Sequence, residues 1–330
     1  MPGGSARRPR VAPRTGPDPL PRVGVAPGLL PSVRDLAGDR KRFGVGAGTL
    51  VPMRTLLCLH AHPDDEAIAT GGSMARAHAE GHRVVLVVAT DGAHGEVPDD
   101  LAPGETLVER RRAETAASAE ALGIDRVEFL GFTDSGMTGW DANDHDGSFW
   151  QVDTDEAAAR LVPLLVDEDV DVLTIYDWHG GYGHPDHIKV HRVGRRAAEL
   201  VADELPSLRV LEATMNRDEM RRGIEMAKDT GVEDVGPSDE GTDDFDPDAP
   251  MDDGNPMGTP EVEITLAVDV SAFVDQKRAA IAAHSSQVSD QSFFLQMPAE
   301  LFAQAFGREW FVEHDRRPDA SGPRLGWFFD

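Results

Sequence analysis

Apolar and polar positions alternate in blocks from residue 54 onward. Five short apolar runs read as strands: RTLLCLHA (54–61), RVVLVVAT (83–90), RVEFLG (126–131), DVLTIYD (171–177) and LRVLEAT (208–214). The stretches between them, EAIATGGSMARAHAEG (66–81), GETLVERRRAETAASAEALG (104–123), TDEAAARLVPLLVDED (154–169) and HPDHIKVHRVGRRAAELVADE (184–204), are amphipathic and read as helices. Strands and helices in strict alternation predict βα units on a parallel, doubly wound sheet. A loop with several glycines and aromatics, residues 131–152, separates the third strand from its helix. Later in the chain EVEITLAVDV (261–270) reads as a strand and SAFVDQKRAAIAAHSSQ (271–287) as a helix, a smaller α+β extension after the core.

Composition divides the chain further. Residues 1–52 hold nine Pro and nine Gly with no sustained hydrophobic period, the composition of a disordered basic arm; nine Lys/Arg there face three Asp. Translation from Met53, just before the first strand, and a genuine tail from Met1 fit this equally. The remaining units are a core at 53–215 and an extension at 216–330 that completes the same globular body. That extension includes an acidic loop at 230–260, with ten Asp/Glu between residues 233 and 253. Those acids lack the spacing of a calcium loop and read as solvated.

The whole chain of 330 residues carries a net charge of −27, which repels phosphate backbones and anionic membranes. Nucleic acid and membrane are therefore not expected as partners, and no apolar stretch has the length of a membrane span. The lone cysteine, Cys58, lies in an apolar run and reads as a small core hydrophobe, in keeping with a cytoplasmic location. Oligomeric state is not legible.

Chemistry concentrates at two strand ends. His62-Pro-Asp-Asp65 follows the first strand and His184-Pro-Asp-His187 the fourth, and ligands of open α/β sheets bind at that edge. His62 and Asp65, three residues apart across a turn into a helix, suit one metal, and His187 at its helix start is placed to be a third ligand. Asp64, beside a ligand, is then a candidate general base for water on a Zn2+ ion. Taken singly, an Asp after Pro at a helix start is equally an N-cap, for Asp64 and for Asp186 alike.

Four motifs together, AHPDDE, GFTDSGM, GGYGHPDH and KRAAIAAHSSQ, resemble the LmbE-like, or PIG-L, N-acetylglucosaminyl deacetylases over residues 54–290. Within that family the resemblance points to the actinobacterial branch of mycothiol-pathway deacetylases and conjugate amidases. It implies a Rossmann-like α/β fold and a zinc-dependent amide hydrolase, with Fe2+ as an alternative metal. The implied substrate is a small glycoconjugate bearing N-acetylglucosamine, such as N-acetylglucosaminyl-inositol. Carried onto this sequence, the resemblance implies His62, Asp65 and His187 as ligands and Asp64 as base. His184 would steady the tetrahedral intermediate or protonate the amine, Tyr182 would donate to the oxyanion, and Asp186 would orient a motif histidine. Arg111 and Asp134 match sugar-holding positions, and His284 with Gln287 matches an H-x-x-Q pair lining the crevice.

Ordinary structural roles exist for the outer set: a solvated charge for Arg111, a turn for Asp134, helix packing for His284. His60 is given no role, and His191 is a contact to the site or helix surface. The rival activities are an amidase of thiol conjugates and an idle metal- or sugar-binding protein. The second is disfavoured because Asp64, Tyr182 and His184 are intact. A nucleotide-binding reading fails for want of G-x-G-x-x-G or a P-loop lysine.

Overall fold

The computed structural model describes residues 43–46, 49–229, 245–313, 316 and 323–330. Eight strands form the main sheet: β1 Thr55–His60, β2 Arg83–Thr90, β3 Arg126–Phe132, β4 Val172–Tyr176, β5 Arg209–Thr214, β6 Leu266–Asp269, β7 Arg308–Glu313 and β8 Arg324–Gly326. Their spatial order is β8-β6-β7-β5-β4-β1-β2-β3. All neighbours run parallel except β7, which is antiparallel to both β5 and β6.

Strands β1 to β5 match the five apolar runs, and the reason they are apolar residue after residue is that both faces are covered. Leu56 and Cys58 of β1 belong to one core with Met74, Ile281 and Phe311. Leu57 and Leu59 belong to the other, with Leu161, Leu165, Val190 and Val193. The order 3-2-1-4-5 reverses direction between β1 and β4, which pair through Leu56 with Val172 and Cys58 with Thr174. The two HPD motifs therefore leave adjacent strands at the switch point.

Nine α-helices are described: α1 Asp65–Ala69, α2 Gly71–Ala79, α3 Leu107–Leu122, α4 Thr154–Asp167, α5 Pro185–Leu200, α6 Arg217–Asp229, α7 Val274–Ala283, α8 Phe293–Gln296 and α9 Ala299–Phe306. The helix expected at 66–81 is broken at Thr70. There the chain turns so that the amides of Gly72 and Ser73 reach Glu309 of β7, each at 2.8 Å. Gly72 is required at that approach, since a Cβ there would lie 2.6 Å from Val270. A capping box, Thr106 with Glu109, starts α3, and left-handed Gly123 ends it.

The late strand is shorter than expected. Residues Glu261–Glu263 form a 3-10 turn, and only Leu266–Asp269 pairs, because the β7 partner run is itself short. Helix α6 and strands β7 and β8 are absent from the sequence reading. Of the arm expected to be unstructured to residue 52, residues 1–42 lie outside the described residues. Its end, Phe43–Gly46 with Thr49–Pro52, instead pairs as an antiparallel hairpin, as two short runs of β-prone residues flanked by glycine allow. Of the acidic loop, residues 230–244 lie outside the described residues. No described helix is long and apolar enough to cross a membrane.

Candidate metal centre and active site

His62, Asp64 and Asp65 leave the end of β1, while Tyr182, His184, Asp186 and His187 leave the end of β4. Because those strands are neighbours, the seven residues meet. Asp65 faces both rings: its Oδ2 is 3.3 Å from His62 Nδ1 and its Oδ1 is 3.3 Å from His187 Nε2. Ligand bonds of ~2.0–2.1 Å at a tetrahedral angle place ligand atoms about 3.3 Å apart, so each contact has the separation of a ligand pair. His62, Asp65 and His187 as a trio, however, are not one of the donor groups that converge within 4.8 Å among the described residues.

The other nitrogen of His62 is held from behind. Its Nε2 lies 3.2 Å from Asp186 Oδ2 and 3.6 Å from Asp134 Oδ1. Asp186 is wholly buried and also accepts from the amide of Ser135 at 2.9 Å and from the Ser135 hydroxyl. A carboxylate on the far side of an imidazole fixes its tautomer and leaves Nδ1 as the lone pair. Asp186 is thus not the cap of α5. That place is taken by His184, whose Nδ1 accepts the Asp186 amide at 3.1 Å, with Pro185 next in the first turn.

Two donor clusters lie within 4.8 Å: His62, His184 and His187, and His62, Asp134 and Asp186. A backbone amide can only donate, so His184 Nδ1 is a lone pair already used and Nε2 carries the ring proton. His184 is therefore a donor into the crevice and not a ligand. Asp134 and Asp186 accept from backbone amides, His94 and Gly136 on the one and Ser135 on the other, which suits them to orienting His62. The donor chemistry itself fits a cation. Asp64, Asp65, Asp134 and Asp186 crowd around His62, and Arg111 is ion-paired to Asp64 alone among these carboxylates.

Asp64 sits at the start of α1 with φ +114, yet its side chain makes no capping bond, so the N-cap reading does not hold. Its Oδ2 accepts from Arg111 Nη2 at 3.0 Å, and its amide donates to Glu66 Oε2 at 2.9 Å. Burial pushes the Asp64 carboxyl up to about 6, against the opposing pull of Arg111. Tyr182 Oη lies 3.4 Å from His187 Nε2, and burial holds its phenol well above the usual range, so it stays protonated.

The three residues expected to hold the sugar make contacts within the protein. Arg111, 3% exposed, donates to Gly92 O, Pro63 O and Asp64. His284 is 0% exposed and lies against Glu66, its Nε2 2.6 Å from Oε1. Asp134 is spent on His62, His94 and Gly136. Each is engaged by protein partners, although Arg111 Nε and His284 Nδ1 have no hydrogen-bond partner among the described residues. Gln287, expected beside His284, instead bridges to Glu96 across the rim.

The sequence reading passed over several contributors. His60 is buried and bridges Tyr176 Oη and Thr70 Oγ1, each at 2.8 Å, while the Tyr176 ring stacks on His187 at 4.3 Å. His191 Nδ1 lies 3.0 Å from the Tyr176 carbonyl oxygen. Helix α3 buries Arg111, Glu114, Thr115 and Ser118, a polar stripe at i, i+3, i+4 and i+7. That spacing is a readable signal, since a helix burying a polar stripe must be serving internal partners.

An α/β fold whose switch-point crevice holds three histidines, four carboxylates and a protonated tyrosine has the residue types that a metal-dependent hydrolase requires. A profile of the PIG-L family, described as GlcNAc-PI de-N-acetylase, matches residues 57–198. The chain is 41% identical over 277 residues to the 1D-myo-inositol 2-acetamido-2-deoxy-alpha-D-glucopyranoside deacetylase of Acidothermus cellulolyticus, covering 79% of this chain and 88% of that one. It is 42% identical over 260 residues to the protein of that name from Streptomyces griseus, covering 74% and 78%. Among solved structures, N,N'-diacetylchitobiose deacetylase from Pyrococcus horikoshii aligns with a TM-score of 0.49 at 23% identity, covering 79% of this chain and 83% of that one. The chain belongs to the PIG-L family of deacetylases.

Proposed function

We propose that the protein removes the acetyl group from the 2-amino group of an N-acetylglucosaminyl-inositol, the substrate its relatives' names carry. The ion would be zinc, with ferrous iron as the alternative, held by His62 Nδ1, Asp65 and His187 Nε2. When bound, it polarises the amide carbonyl and lowers the pKa of coordinated water towards ~7.

The observation that carries this reading is the placement of Asp64. Arg111 holds one oxygen of the partly buried Asp64 carboxylate, and the other accepts no hydrogen bond among the described residues. Asp64 takes a proton from the attacking water as the oxygen adds to the amide carbon. Tyr182 Oη–H and His184 Nε2–H donate to the oxygen that gains negative charge. Since His184 Nδ1 accepts a backbone amide, the ring is neutral and acts as a hydrogen-bond donor, and the proton that the amine requires returns from Asp64. The C–N bond breaks, and acetate and the free amine leave.

The test is acetate and primary-amine release by the metal-loaded protein. N-acetylglucosaminyl-inositol, free N-acetylglucosamine, N-acetylchitobiose and an acetylated thiol conjugate are supplied in parallel. Turnover of the inositol conjugate above the others is expected. Preference for the thiol conjugate would replace the deacetylase by an amidase, and release from none would remove the hydrolase reading.

A further inference from the structure

Glu66 is the last residue of the AHPDDE run and the one to which the reaction assigns nothing. An acid in the first turn of a helix ordinarily faces solvent and the helix dipole. Glu66 is instead 0% exposed. Its Oε1 accepts from Ser118 Oγ of α3 at 2.6 Å and meets Nε2 of His284, at the end of α7, at 2.6 Å. Its Oε2 accepts the backbone amide of Asp64 at 2.9 Å.

That last bond falls on the residue with the least ordinary backbone in the crevice. Asp64 is held at φ +114, one of two described non-glycine residues with positive φ. Such a conformation persists only where the surroundings over-determine it. Two groups do so here, Arg111 on the carboxylate and Glu66 on the amide. His284 fixes Glu66 in turn, and the chain after α7 is pinned because Glu114 of α3 accepts from the Ser286 amide at 2.8 Å and the Ser286 hydroxyl at 2.6 Å. His284 Nδ1 has no hydrogen-bond partner among the described residues, so the ring's one polar contact is to Glu66.

We propose that Glu66 and His284 are positioning residues that set the general base: His284 orients the Glu66 carboxylate, and Glu66 holds the Asp64 backbone in the conformation that aims its carboxylate at water. This rests on Asp64 acting as the base, as proposed above. Glutamine at 66 cannot serve both sides, because its NH2 must face either the Asp64 amide or His284. A misplacement of the base by ~1 Å costs on the order of 10²-fold in turnover. Glutamine at 284 puts an amide nitrogen near the place of His284 Nε2, whereas alanine leaves it empty.

The experiment measures kcat, KM and bound metal for Asp64→Asn, Glu66→Gln, Asp64→Asn/Glu66→Gln, His284→Ala, His284→Gln and the exposed control Ser289→Ala. The expectation for Glu66→Gln is a kcat lower by about 10²-fold with KM within threefold and one metal per chain. It should cause no further loss in the Asp64→Asn background. His284→Gln should recover most of what His284→Ala loses, and Ser289→Ala should match the parent. Wild-type kcat in Glu66→Gln beside an inactive Asp64→Asn overturns the positioning role and leaves the base standing. Wild-type kcat in Asp64→Asn overturns the base and this inference with it. If Glu66→Gln does not fold, the His284 pair decides, and equal kcat in His284→Ala and His284→Gln overturns the proposal.

Discussion

Lys277 and Glu309 form a buried ion pair that joins the C-terminal strands to the first βα unit, and Lys277→Met isolates its contribution. The Glu309 carboxylate takes three donors, Lys277 Nζ at 2.6 Å and the amides of Gly72 and Ser73 at 2.8 Å each. Lys277 is 1% and Glu309 3% exposed, so water screens little of this. With methionine at 277 the carboxylate keeps both amides and the positive end of α2 but loses its cation. Removing one partner of a buried pair costs ~3–5 kcal/mol, and the retained amides and helix dipole put this case near 3 kcal/mol. For the unit Lys41–Asp330, at ~2.1 cal/mol/K of unfolding entropy per residue, that lowers Tm by about 5 °C. Scanning calorimetry of the metal-loaded protein at pH 7 reads it directly. Adding Glu309→Gln to Lys277→Met should recover part of the loss, because no uncompensated charge then stays buried. A Tm drop of under about 1 °C in Lys277→Met, or a double variant whose losses simply add, would refute this account.

Three further outcomes are expected. Burial pushes the Cys58 thiol up to about 12, so a thiol reagent at pH 8 should leave the native protein unlabelled and modify one thiol per chain in guanidinium; rapid native labelling would contradict the packing. Burial pushes Glu212 up to about 7 in spite of Arg195, and Asp177 adds to the rise. The folded state then holds that proton more tightly than the unfolded chain does. Stability is therefore lost as pH climbs from the ordinary carboxyl value through 7, and Glu212→Gln should gain on the parent by on the order of 2 kcal/mol between pH 5 and pH 8. An unchanged difference between the two pH values would show that Glu212 titrates normally. At the site, Asp64→Asn should retain metal and lose most turnover while His187→Ala loses both. Elemental analysis beside the activity assay separates the two, and full activity in Asp64→Asn would rule out its role as base.

Legibility in the sequence followed the kind of physics involved. The core strands could be read because a parallel strand covered on both faces is apolar along its middle, as VVLVVA within β2 is. Strand β7, REWFVE, could not: it alternates exposed and buried residues and takes its place by pairing with β5 and β6, a long-range fact with no local mark. Helix α6, RDEMRRGIEMAKD, is predominantly polar and runs beside a loop, so periodicity gave it little weight. The meeting of His62 and Asp65 with His187 was legible because two HPD motifs end two strands that a doubly wound order makes adjacent. Arg111 and His284 were placed near the site, but their contacts with Asp64 and Glu66 were not legible, since a sequence position says that a charge comes close and not which way it turns.

Those contacts show how the crevice is built. Asp64 is fixed through Arg111 and Glu66, on contacts that lead into α3 and α7. His62 is fixed through Asp134, Asp186 and Ser135, on contacts that lead into the loop after β3 and the start of α5. The hydrogen bonds that define the one set do not pass through the other. A left-handed non-glycine residue costs ~1–3 kcal/mol, and here that cost falls on Asp64 and not on any of the proposed ligands. If His62 is a ligand and Asp64 the base, as proposed, the two frameworks separate two properties: the framework behind His62 would govern how tightly an ion is held, and the one behind Asp64 would govern turnover once it is held. The C-terminal extension enters through α7, so the second framework exists only when residues beyond the acidic loop have folded onto the first βα unit. This gives the extension a catalytic reason to share the sheet.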